Sequence, residues 1–183
     1  MVIKSDAGTE ELSSPFYIAN QEFCKEFENY IASKNGLIKS SYNAWSYSII
    51  GKIPHEKEWV LKFKKATYSN GNLILSSEYQ NLLTACIWSA KNFTTETSNF
   101  KIRKKRFTDL FSSKWKTMKN HSSYSIRANE PKSKFLSNIV SILDNLFIQE
   151  FVFEIEYLNN DLIIDLRTDQ LHIGLIDKLL EIK

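Results

Sequence analysis

Phe16, Ala19, Phe23, Phe27, Tyr30 and Ile31 recur at spacings of three and four, the apolar stripe of an amphipathic helix. Ser14-Pro15 opens it, with Pro pre-set for the first helical turn, and Asn35-Gly36 supplies a left-handed stop. From Tyr42 to Ile53 the chain is rich in β-branched and aromatic residues and reads as a strand that Pro54 ends. Trp59, Leu61 and Phe63 then alternate with Val60, Lys62 and Lys64 as a second strand. Asn70-Gly71 offers a tight turn into a return strand over Leu73 to Ser77. The two alternations are out of phase across a two-residue turn, so a bulge is expected near Lys64 to Ala66. Leu82 to Ser89 makes a further strand.

In the second half, Phe100 and Ile102 suggest a short extended piece. Phe107, Leu110, Phe111, Trp115 and Met118 follow with helical spacing and predict an amphipathic helix with its aromatics buried. Tyr124 to Arg127 reads as a strand. After Pro131, Phe135, Leu136, Ile139, Val140, Leu143 and Leu146 predict a third helix. The clearest hairpin turns at Asn159-Asn160, with Tyr157 opposite Leu162, Ile155 opposite Ile164 and Phe153 opposite Leu166, all on one apolar face. A last helix spans about Gly174 to Ile182. This order, with hairpins in place of βαβ crossovers, predicts an α+β fold: a mainly antiparallel sheet built from hairpins and covered by about four helices. Residues 1–13 read as a flexible polar tail and 14–183 as one domain.

Composition narrows the function. The chain has 183 residues, 43% of them hydrophobic, and no apolar run near the 18 or so a membrane span requires. Its first residues lack the basic start and apolar middle of a signal peptide, so a cytoplasmic location is expected. Cys24 and Cys86 are too few for a disulfide framework or a structural zinc site and read as core thiols. The abundance of Asn, Lys, Ile, Ser, Tyr and Phe is that of proteins from AT-rich bacterial genomes. The five glycines, Gly8, Gly36, Gly51, Gly71 and Gly174, lie no closer than 15 residues apart. Phosphate-cradling loops and nucleophile elbows need them clustered, which excludes those nucleotide-binding and hydrolase classes. His55, His121 and His172 are scattered, and Trp59 stands where a zinc-binding helix starting at His55 would need its second His. No metal or cofactor is expected.

Charge then changes the picture. Between Lys101 and Lys134 lie eleven basic residues against two acidic ones, Asp109 and Glu130. That local excess of +9 sits in a formal total of +3, so the other 149 residues carry a net −6. Such asymmetry points to an anionic partner in trans or to the protein's own acidic face. The basic candidates are Lys101, Arg103, Lys104, Lys105, Arg106, Lys114 and Lys116. The acidic candidates come from the hairpin register, whose second face carries Val152, Glu154, Glu156, Ile163, Asp165 and Arg167. There Glu154 falls opposite Asp165, and the Cβ atoms of such a pair are about 5 Å apart. Arg167, diagonal to Glu154, or the basic run itself would compensate the repulsion. Alternatively, paired carboxylates can share a proton or hold a divalent cation. The nuclease pattern wants a Lys two residues beyond its acid, and Glu154 is followed instead by Glu156, and Glu156 by Leu158.

The expectation is a soluble interaction or regulatory domain without a catalytic site, using the basic segment toward an acidic protein. Such a surface would also need an apolar anchor, which the sequence does not locate. A nucleic-acid-binding protein is the alternative, in its enzymatic form a metal-dependent nuclease at Glu154 and Asp165, and an anionic membrane surface is a further possible partner.

Overall fold

The computed structural model describes residues 3–54, 57–66, 84–94 and 98–182. Among them are ten strands and four α-helices. One short strand pair is parallel, and every other pair with a described register is antiparallel, so the chain is α+β. No helix among the described residues is long and apolar enough to cross a membrane. The chain divides into two compact units, Met1–Trp88 with Arg167–Leu171, and Ser89–Leu166 with His172–Lys183.

In the first unit, helix α1 (Pro15–Ser33) begins at Ser14, whose hydroxyl accepts the Phe16 N–H. Its buried positions are Tyr17, Asn20, Cys24, Phe27, Tyr30 and Ile31. The face is therefore rotated by about one residue from the predicted stripe at its N-terminal end, and Phe16 is exposed. Asn20 is tolerated inside because its amide donates to the carbonyls of Asn43 and Ala44 at 2.9 and 3.3 Å. Burial, reinforced by the Glu28 charge, pushes the Cys24 thiol up to about 12, and Cys86 is equally buried, so both behave as core thiols.

Strands β1 (Lys4–Ser5), β2 (Leu37–Tyr42), β3 (Ser46–Pro54), β4 (Glu58–Ala66) and β5 (Thr84–Ala90) follow one another in spatial order, with β1 parallel to β2. The sequence reading began its first strand at Tyr42. The chain instead makes two strands, because Asn43 Oδ1 accepts the N–H groups of Trp45 and Ser46 at 2.9 and 2.8 Å and closes a side-chain-built turn. Helix α1 lies on β2 and β3, and Gly51 permits the approach. A Cβ there would stand 2.6 Å from Ile31 Cδ1 and 2.7 Å from Phe27 Cζ. The predicted turn at Asn70-Gly71, the return strand over Leu73 to Ser77 and His55 lie outside the described residues, and at Lys64 to Ala66, where a bulge was expected, β4 pairs with β3 without a register shift.

In the second unit the strands are β6 (Phe100–Lys104), β7 (Lys116–Thr117), β8 (Tyr124–Ala128), β9 (Val152–Leu158) and β10 (Asp161–Leu166), ordered β10-β9-β6-β8-β7. The β9–β10 hairpin turns on Asn159 and Asn160, both left-handed with φ of 51° and 69°, as a tight hairpin turn requires. Tyr157 faces Leu162, Ile155 faces Ile164 and Glu154 faces Asp165, in the expected register. Beyond Asp165 the register shifts, so Leu166 partners Val152, not Phe153. The bulge turns Val152 into the core and leaves Phe153 exposed. Helices α2 (Lys134–Ile142) and α3 (Asp144–Ile148) divide the predicted third helix at Leu143, which nevertheless stays buried with Phe135, Leu136, Ile139 and Leu146. Helix α4 (Ile173–Leu180) ends the chain. A cluster of Phe93, Phe100, Phe135 and Tyr157, with ring centroids 4.8–5.9 Å apart, forms one part of the core.

Candidate interaction surface

Strand β6 puts Phe100 and Ile102 into the core, and the period of two turns Lys101 and Arg103 to the other face. The ladders bring β6 directly against β9, with Lys101 opposite Glu156 and Arg103 opposite Glu154. The strand that opens the sequence-predicted basic run thereby lies beside the sequence-predicted acidic face. Lys101 Nζ lies 2.7 Å from Glu154 Oε1 and 3.5 Å from Glu156 Oε1, bridging the two carboxylates. Lys104 Nζ lies 3.2 Å from Glu150 Oε2 and, by that hydrogen bond, holds the Glu150 carboxyl below its ordinary range. Asp165 stands opposite Glu154 on β10, on the far side from Lys101.

Arg103 is buried, and its guanidinium does most to shape the surface. Nη1 and Nη2 donate to Asp109 Oδ2 and Oδ1 at 3.0 and 2.7 Å, a two-pronged pair. Nη1 also donates to the Lys104 carbonyl at 3.0 Å. The indole of Trp115 lies against the guanidinium at 3.8 Å from ring centroid to Cζ, with the Arg127 guanidinium 5.5 Å from the same ring. The hydrogen bonds from Arg103 come first in holding the Asp109 carboxyl well below the usual carboxylate range, with the Arg106 N–H at 2.9 Å adding to them.

These contacts decide the conformation of the segment that was expected to be a buried amphipathic helix. Phe107–Phe111 is a single 3₁₀ turn, after which the chain opens into β7. Asp109 accepts from the Arg106 backbone and from Arg103, and Ser112 Oγ accepts the Lys114 N–H at 3.3 Å. Such local side-chain bonds compete with helical hydrogen bonding and end the turn. Of the predicted stripe, Met118 is buried and Trp115 covers Arg103, but Phe107 and Phe111 are 77% and 80% exposed. Their rings meet edge to face at 5.6 Å. Lys105, Arg106, Lys114 and Lys116 are exposed in the same stretch and form no ion pair among the described residues. Because Asp109 and Trp115 both touch Arg103, the Phe-bearing turn and the stretch leading to Lys116 are tied to one side chain.

The seven basic candidates thus separate. Lys101, Arg103 and Lys104 are engaged by the protein's own carboxylates, and Lys105, Arg106, Lys114 and Lys116 face outward. Glu154 and Glu156 share an ammonium, and among the described residues no group of three or more His, Cys, Asp or Glu side chains is arranged to hold a metal. His121 is buried with Nε2 3.0 Å from Asp144 Oδ1, though not in hydrogen-bond alignment, and its ring stacks on Phe147. No family model, curated protein or solved structure matches this chain.

Proposed function

We propose that the chain is a non-catalytic interaction module that docks an acidic protein through residues 105–116. Phe107 and Phe111 form the apolar anchor, and Lys105, Arg106, Lys114 and Lys116 form its charged rim. The observation that carries this reading is the exposure of two large rings on a turn pinned by Arg103 and Asp109. A pinned turn meets its partner with little ordering cost. Burying each ring contributes roughly 1.5–3 kcal/mol, while the cations steer the approach of an acidic surface.

Nucleic acid is less well suited. Fewer cations remain outward than the basic run suggested, and the edge-to-face pair covers part of the ring surface a base would stack on. Hydrolysis at Glu154 and Asp165 gains no support, since Lys101 already supplies the countercharge that a metal would bring.

The test compares wild-type and Phe107→Ser/Phe111→Ser proteins as baits in extract of the source cells. Both rings are exposed, so the double variant should keep its stability within about 0.5 kcal/mol by thermal melting. The expected result is an acidic protein retained by wild type and lost by the variant. Identical proteins on both baits would sink the proposal.

A further inference from the structure

The last strand of its run, β7, borders a groove of about 620 Å³ whose other wall is α2. Ile126, Leu136 and Val140 give the groove an apolar lining, Lys116 and Lys119 stand on the strand side, and Asp144 lies toward the α3 end. Its volume is in the range of sites that take several side chains. The strand edge is also open in a specific sense. Met118 N–H donates to the Tyr124 carbonyl of β8 at 3.0 Å, and hydrogen bonding alternates along an antiparallel strand. Thr117 therefore turns its N–H and C=O away from β8, and no strand among the described residues pairs with that edge.

We infer that this groove binds an extended segment of a partner protein, which adds a strand to β7 and presents acidic and apolar side chains together on the face that meets the groove. A ladder bond to Thr117 supplies the register, and the period of two drops every other side chain onto Ile126 and Val140. Lys116 stands opposite Ile126 on that same face, so an acidic side chain among them meets its ammonium, with Lys119 just beyond the strand. A second copy of this chain is disfavoured as the occupant, because pairing two β7 edges gathers the Lys116 and Lys119 cations of both copies along one short seam. The inference rests on the reading of the chain as a protein-docking module, but its groove is distinct from the Phe107–Phe111 turn, with Lys116 bordering both.

The experiment is selection of displayed random peptides of about ten residues on the immobilised whole chain. The affinities of the enriched sequences are then measured for wild type and three variants. Thr117→Pro removes only the outward N–H, and proline is tolerated on an edge strand in that orientation. Val140→Glu places a repelling carboxylate on the half-exposed face of α2. Circular dichroism and thermal midpoints establish that each variant is folded, and should Thr117→Pro fail that check, Val140→Glu decides. The expected result is enrichment of sequences that combine acidic and apolar residues and lose about tenfold or more in affinity, at least 1.4 kcal/mol, in both groove variants. Phe107→Ser/Phe111→Ser should leave the same peptides within about twofold of wild-type affinity. Peptides held equally by wild type and the groove variants, or no enrichment over the Val140→Glu protein, would overturn the groove. Loss of binding in the Phe variant alone would also overturn it, while leaving the turn as a docking surface.

Discussion

Arg103 directs its guanidinium at Asp109, the Lys104 carbonyl and the face of Trp115, and that arrangement makes the exposed turn a fixed shape. Because the pairing depresses the Asp109 pKa, its contribution to stability is fully present above the ordinary carboxylate value of about 3.9. It is lost as pH falls toward the lower folded value. The turn should therefore persist at about pH 4, where an ordinary carboxylate is half protonated, and open only in stronger acid. Trp115 fluorescence reports this directly, since the indole sits on the same guanidinium. Asp109→Asn should show the opened-state signal already at neutral pH and a lower melting midpoint. An unchanged Trp115 signal across both pH and variant would contradict the clamp. The sequence offered Phe107, Leu110, Phe111, Trp115 and Met118 at helical spacing, and that period was misleading. The clue that outweighs it is Asp109 lying six residues beyond a strand arginine, with the serine pair Ser112-Ser113 just after. Spacing alone cannot reveal an ion pair that forms across a fold-back.

At the scale of elements, the hairpin β9–β10 was legible down to the Glu154–Asp165 pairing, because Ile155, Tyr157, Leu162 and Ile164 fix a register and a one-residue slip exposes all four. The shift at Phe153 was not legible, since Val152 and Phe153 are both apolar and either can point inward. Placement of β6 beside β9 was equally hidden, as those strands lie far apart in sequence and only the folded ladder sets Lys101 between Glu154 and Glu156. Lys101→Met leaves Glu154 and Glu156 without that bridge. It should lower stability by about 1 kcal/mol, the scale of cross-strand charge pairs, with the loss recovered in part when Glu154 is also changed to Gln. Additive losses in the double variant, measured by urea denaturation, would show that the bridge is not formed. In the first unit, the seat of α1 on β3 depends on Gly51. Gly51→Ala should cost about 1–3 kcal/mol by overpacking against Ile31 and Phe27, and the same substitution at exposed Gly174, where an added Cβ meets nothing, should not. Equal midpoints for the two variants would mean that the helix can shift away at no cost.

For the whole molecule, the sequence exposed a charge asymmetry and left open whether it points outward or is answered within the chain. Lys101, Arg103 and Lys104 answer it internally, so the basic run is in part a structural device that binds β6 to β9 and pins the turn beyond it. What remains outward is a smaller cationic rim around two exposed phenylalanines, a composition suited to a discrete protein partner. The measurement that tests this division most directly is binding of the purified chain to DNA, RNA and anionic vesicles at about 50 and 200 mM salt. With three of the seven candidate cations engaged by the protein's own carboxylates, weak binding at the lower salt and none at the higher is the expected result. Tight binding to any of the three, falling by orders of magnitude between the two salts, would contradict it and make the basic segment a phosphate-tracking surface.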